Sequence, residues 1–212
     1  MPLHRFTSLV FAFTIGISLL SCTGEPYTRE SSKFNFFNLE GAHGYLFRAA
    51  AHHNLNQYQQ AIENYDEAIL LDPHFAWAYY NRGSAYFVSG RYQLAIDDFN
   101  QAITLDHKSI DIYLQRGFAY YQLGQFQRSI EDYSISIGLG LSSAEIYDKR
   151  GAAYHNLGQL EDAIADYDKA VSLDPTLSKV YLNRGLAYSQ LGKHTESEKD
   201  KARACALNNQ HC

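Results

Sequence analysis

The chain has 212 residues, 46% of them hydrophobic, with 17 tyrosines, a single tryptophan and a net charge of −5. That length holds one repeat domain plus short extras, and the apolar share supplies a continuous core. An acidic balance without a basic stripe argues against general nucleic-acid binding. Charge is uneven along the chain. Residues 144–177 carry seven acids and three bases (net −4), and residues 178–211 carry six bases and three acids (net +3). The gradient reads either as a solvated surface or as a polarised end that steers a charged partner.

Residues 1–21 begin with a positive Arg5 and run uncharged, apolar or small through 6–20. Fifteen residues span about 22 Å of helix, short of a bilayer core of about 30 Å, which fits a signal segment better than a membrane span. The segment ends Leu19-Leu20-Ser21-Cys22. This resembles a bacterial lipobox, with leucine three residues before the cysteine and a small residue just before it. The resemblance implies cleavage after Ser21, a diacylglycerol on the Cys22 thiol and an acyl chain (palmitate) on the new amine. The mature protein would then be lipid-anchored at the bacterial cell envelope. An aspartate after the lipidated cysteine resembles an inner-membrane retention signal; Thr23 stands there instead. That favours the outer membrane, facing the periplasm, in a diderm host. Residues 22–41 are rich in Ser, Thr, Asn, Gly and Glu and read as a tether. Phe34, Phe36, Phe37 and Leu39 interrupt it, and either fold over the first repeat as an N-terminal cap or leave its face free.

From residue 42 the chain repeats with a period of 34. Arg48, Arg82, Arg116, Arg150 and Arg184 stand at slot 7 of units 42–75, 76–109, 110–143, 144–177 and 178–211. Tyrosine fills slot 4 in every unit, from Tyr45 to Tyr181. Slot 8 is Ala49, then Gly83, Gly117, Gly151 and Gly185. Slots 4, 8 and 11 share one helical face, and slots 20, 24 and 27 share another. Small residues at 8, 20 and 27 let two helices approach closely, while aromatics at 4, 11 and 24 fill the space between units. Asn56 and four glycines at slot 15 suit the left-handed residue that ends a helix. Asp-Pro at 72–73 and 174–175 stops the second helix. The periodicity predicts first helices at 43–55, 77–89, 111–123, 145–157 and 179–191. Second helices are predicted at 58–71, 92–105, 126–138, 160–173 and 194–207. Unit 3 lacks the Asp-Pro stop, so Gly138 and Gly140 should end its second helix early and loosen that joint.

These columns resemble the tetratricopeptide repeat over five units. The resemblance implies an all-α, right-handed α-solenoid of five helix-turn-helix units whose inner groove binds peptides or partner proteins. The slot 7 arginine departs from the family's usual leucine. Slot 23 holds Asn64, Asp98, Asp132, Asp166 and Asp200, so the two columns either pair between helices or stand as separate solvated charges. The last helix carries Lys201 in place of the slot 24 aromatic and Glu198 in place of the slot 21 isoleucine, so it reads as a C-terminal cap.

The family's concave wall comes mainly from slots 2, 5, 6, 9, 12 and 13. Groove candidates here are Phe47, Trp77, Tyr80, Asn81, Phe87, Leu114, Phe118, Tyr121 and Lys149. The N-terminal half reads as an aromatic trough for apolar or extended peptide segments, with Trp77 as anchor; the other reading is packing between units. Some family members grip a terminal carboxylate with lysines and asparagines. Here Glu145 and Asp148 offset Lys149 and Lys179, and the slot 9 asparagine is missing, which argues against that clamp. There is no phosphate loop, no G-x-S-x-G and no H-E-x-x-H. No catalytic residue, cofactor or metal site is therefore assigned, and no enzyme activity is expected. His53 and His155 share slot 12 three units apart, too far to share an ion. With Cys22 lipidated, Cys205 and Cys212 are left in an oxidising compartment, either bridged or as two thiols. The expected function is a non-catalytic protein- or peptide-binding scaffold. The alternative is a self-associating assembly accessory of an envelope complex, with homo-oligomers through its groove or its aromatic end.

Overall fold

The computed structural model describes residues 41–106 and 109–208. The chain divides into two compact units, Met1–Asn35 and Phe36–Cys212, and every described residue belongs to the second. The expected signal segment 1–21, Cys22, Phe34, Phe36, Phe37, Leu39 and Cys212 lie outside the described residues.

The described residues form ten helices and no strand: α1 (Ala42–Asn54), α2 (Tyr58–Leu71), α3 (Ala76–Val88), α4 (Tyr92–Thr104), α5 (Ile110–Gln122), α6 (Phe126–Gly138), α7 (Ala144–Asn156), α8 (Leu160–Leu173), α9 (Ser178–Gln190) and α10 (His194–Leu207). Each first helix begins and ends one residue earlier than the periodicity predicts. The residue before each turn, from Leu55 to Leu191, has already left the helix as its C-cap. Asn56, Gly90, Gly124, Gly158 and Gly192 follow with φ between 59° and 76°. The next amide then bonds back to the slot 11 carbonyl, as Arg91 does to Tyr86 at 2.9 Å, closing a Schellman turn. α4 stops one residue early for the same reason, with Asp106 at φ 67°.

Within the first four hairpins a slot 24 ring lies against slot 8. Tyr65, Phe99, Tyr133 and Tyr167 are at most 1% exposed. A Cβ on Gly83 would sit 2.9 Å from the Phe99 ring, and one on Gly151 2.9 Å from Tyr167, so a larger slot 8 residue would push the ring out. At Gly185 the ring is replaced by Lys201, and an added Cβ would meet nothing nearer than 3.3 Å.

The arginine column pairs with the slot 23 carboxylates in units 2–5. Nε and Nη2 of Arg116 donate to the two oxygens of Asp132 at 2.8 and 2.7 Å, and Nη1 donates to Asn100 of the preceding unit at 2.6 Å. Arg82 does the same with Asp98 and Asp66, Arg150 with Asp166 and Ser134, and Arg184 with Asp200 and Asp168. Each of these guanidiniums also lies 5.4–5.6 Å from its slot 4 tyrosine ring and 5.8–5.9 Å from its slot 11 ring. One side chain thus ties three helices together, which leucine at slot 7 could not do. Unit 1 differs. Its slot 23 is an amide, and Asn64 donates to the Gln60 carbonyl at 2.8 Å, while Arg48 stacks 4.2 Å over Tyr45.

The α6–α7 joint is tight rather than loosened. Gly140 turns the chain at φ 103°, Leu141 bonds back to Ser136 at 3.0 Å, and Ser143 caps α7 by accepting from the Ile146 amide at 3.4 Å. Ala144 and Ile146 are buried just beyond it.

Across units, α1, α3, α5, α7 and α9 touch in succession, while no two second helices make a comparable contact. The first helices therefore line the inside of a right-handed α-solenoid, and their polar-to-aromatic slots form its inner face.

Candidate functional site

Among the described residues the inner face holds two aromatic clusters and a cleft. Trp77 on α3 is 54% exposed and meets Tyr80 edge-on at 6.1 Å. Asn81 turns its amide back to the Trp77 carbonyl at 2.7 Å, so it braces α3 beneath the tryptophan. Tyr80 is half-buried, and burial pushes its phenol above the usual range. Its hydroxyl accepts from Gln115 of α5 at 3.4 Å, and Gln115 in turn accepts from Ser84 at 2.9 Å. Farther along the face Phe87 packs edge-on against Phe118 at 5.3 Å, joining α3 to α5. The Lys149 ammonium of α7 lies 5.4 Å over Phe118. Phe87, Phe118 and Lys149 are thus one cluster built from three helices, and Trp77 with Tyr80 is a second. Phe47 on α1 is half exposed and Leu114 on α5 half-buried; both share the face but stand outside these clusters.

A cleft of ≈ 270 Å³ opens where α5, α7 and α9 meet. Phe118, Tyr121, Lys149, His155, Lys179 and Asn183 form its walls, and Tyr167 of α8 its floor. Tyr121 accepts from Asn156 at 3.1 Å. Asp148 is 8% exposed and accepts from the Asn183 amide at 2.9 Å. The Nε2 of His155 is buried without a hydrogen-bond partner, as is that of His53 on α1. Burial holds the His53 imidazole below its ordinary value.

The cleft exists because slot 9 shrinks to Ala152 between Phe118 and Leu186. A search of the groove slots for aromatic residues overlooks Ala152 and Leu186, and Tyr167 lies on α8, outside those slots. The slot 9 column, Ala50-Ser84-Phe118-Ala152-Leu186, held the signal. Three of the nine candidates, Phe118, Tyr121 and Lys149, reach the cleft; the aromatic half of the face presents exposed rings instead. Cys205 is half-buried on α10. Among the described residues no three His, Cys, Asp or Glu side chains converge to hold a metal ion, and no helix is long and apolar enough to cross a membrane.

Five stacked helical hairpins with an inner wall of unburied rings define a helical repeat protein of the solenoid class. The chain belongs to the tetratricopeptide repeat family. The TPR repeat profile matches residues 49–90, 83–124 and 151–192, and a second tetratricopeptide repeat profile matches 178–211. Among solved structures it is similar to YrrB, described as a TPR protein with an unusual peptide-binding site, at 24% identity and a TM-score of 0.77, covering 82% of this chain and 90% of YrrB. It is also similar to MamA at 25% identity and a TM-score of 0.74, covering 80% of this chain and 92% of that one. The MamA of Desulfovibrio magneticus RS-1 matches at 20% identity and a TM-score of 0.74, over 80% and 96% of the two chains. No curated protein matches the sequence.

Proposed function

We propose that this chain is a non-catalytic scaffold that holds a protein or an extended peptide against the inner face of its first helices. A lipid on Cys22 tethers it to the bacterial envelope, at the outer membrane facing the periplasm in a diderm host. The observation that carries the binding role is the half-exposed Trp77, beside Tyr80 on a face that the stack itself leaves unburied. A large ring of this kind, framed by hydrogen-bonded neighbours, is the usual anchor of a peptide interface. The peptide-binding site named for YrrB, a protein of the same fold, supports the reading. The anchor rests on the apolar 6–20 run and the Leu19–Cys22 motif. A bridge between Cys205 and Cys212 would pin the end of α10, and intact mass without reductant tests it.

Crosslinking in native membranes followed by mass spectrometry identifies the partner. Purified partner should then bind wild-type protein and lose binding to Trp77→Ala while the melting curve stays unchanged; retained binding would sink the groove reading. The Cys22→Ser variant should lose palmitate labelling and leave the membrane fraction, and continued membrane association would remove the anchor.

A further inference from the structure

The cleft across α5, α7 and α9 differs chemically from the aromatic half of the same face. Two ammonium groups, Lys149 on α7 and Lys179 on α9, stand on its wall. The one carboxylate in the lining, Asp148, is buried and already accepts the Asn183 amide at 2.9 Å. Its charge is therefore directed into the wall between α7 and α9. Glu145, one turn before Lys149 on α7, is exposed and lies outside the lining. Phe118 and Tyr121 give the mouth of the cleft an apolar edge continuous with the Phe87 cluster.

We infer that this cleft takes one acidic side chain of a bound extended peptide, whose carboxylate sits between Lys149 and Lys179, while apolar residues of the same peptide lie on the aromatic half. This rests on the peptide-binding reading above and adds to it a charge requirement and a direction. An Asp or Glu within the peptide suits the site because the inner face continues to either side of the cleft, so the chain can run through. The volume of ≈ 270 Å³ exceeds what one side-chain carboxylate fills, which leaves room for flanking backbone and water.

The test uses the lipid-free chain from residue 23 onward and an amide-capped library of random nonapeptides, selected in parallel on wild type and on Lys149→Gln/Lys179→Gln. Circular dichroism confirms that both are folded. Wild type should enrich aromatic or aliphatic residues together with Asp or Glu at one fixed offset. An enriched peptide should bind about tenfold more weakly once its acid is changed to the amide, and the double variant should no longer distinguish the two. Enrichment of apolar residues without an acid, or acid selection that survives in the double variant, overturns the inference and leaves the groove reading standing. A second library with free C-termini, enriching an acid only as the terminal carboxylate, also overturns it. No enrichment in any arm overturns both readings.

Discussion

Each slot 7 arginine of units 2–5 is a single-residue clamp on three helices. In Arg116 both forks of the guanidinium are used, and its slot 23 partner Asp132 is 2% exposed. Burial pushes the Asp132 carboxyl above the ordinary range, and the guanidinium opposes that rise. Removing the arginine therefore leaves a buried carboxylate with nothing to hold its charge. Arg116→Leu should cost about 3 kcal/mol of stability in chemical denaturation, even though leucine is the family's usual residue there. Arg116→Leu combined with Asp132→Leu should recover most of that loss, because the unpaired charge goes with its partner. A single variant as stable as wild type would show that the pair contributes nothing. The pairing was legible in the sequence as two columns sixteen residues apart. The reach of Nη1 to the preceding unit was not, since its acceptors at one shared position are a mixture of carboxylate (Asp66, Asp168), amide (Asn100) and hydroxyl (Ser134).

At the scale of an element, the end of α6 shows two glycines with opposite duties. Gly138 is the last helical residue, with open space where a Cβ would go. Gly140 also has open space but sits at φ 103°. Gly138→Ala should raise stability by about 0.5–1 kcal/mol through helix propensity and a less flexible unfolded chain. Gly140→Ala should lower it by about 1–2 kcal/mol, since L-residues are strained there. Thermal melts of the two variants should shift in opposite directions; a shared direction would mean that the turn tolerates other backbone geometry. Sequence alone placed the stop correctly at 138. It did not foresee that Ser143 would cap α7 and keep the joint closed, because capping depends on the angle at which the chain enters the next helix.

At the scale of the whole molecule, contacts run between neighbouring helices and between successive first helices, so stability should be close to a sum over units and their joints. A chain ending at Pro175 loses α9 and α10, and with them Val180 and Ala187 from the cluster around Tyr167. It should melt at a lower temperature yet keep its remaining helices, read as ellipticity reduced in proportion to the residues removed. Collapse of all helical signal would show cooperativity beyond nearest neighbours. The period of 34, the small residues at slot 8, the left-handed turns and the arginine column were all determined by the sequence itself. They are local requirements repeated five times, and repetition makes a weak signal strong. The inner face was determined only in outline. Exposed rings such as Trp77 could be named from their slots, whereas the cleft at units 3–5 emerged only from tertiary structure. It depends on what Ala152 fails to fill between Phe118 and Leu186, and on Asn183 turning the charge of Asp148 into the wall. Empty space and the direction of a charge belong to several helices at once, and no single segment of sequence encodes them.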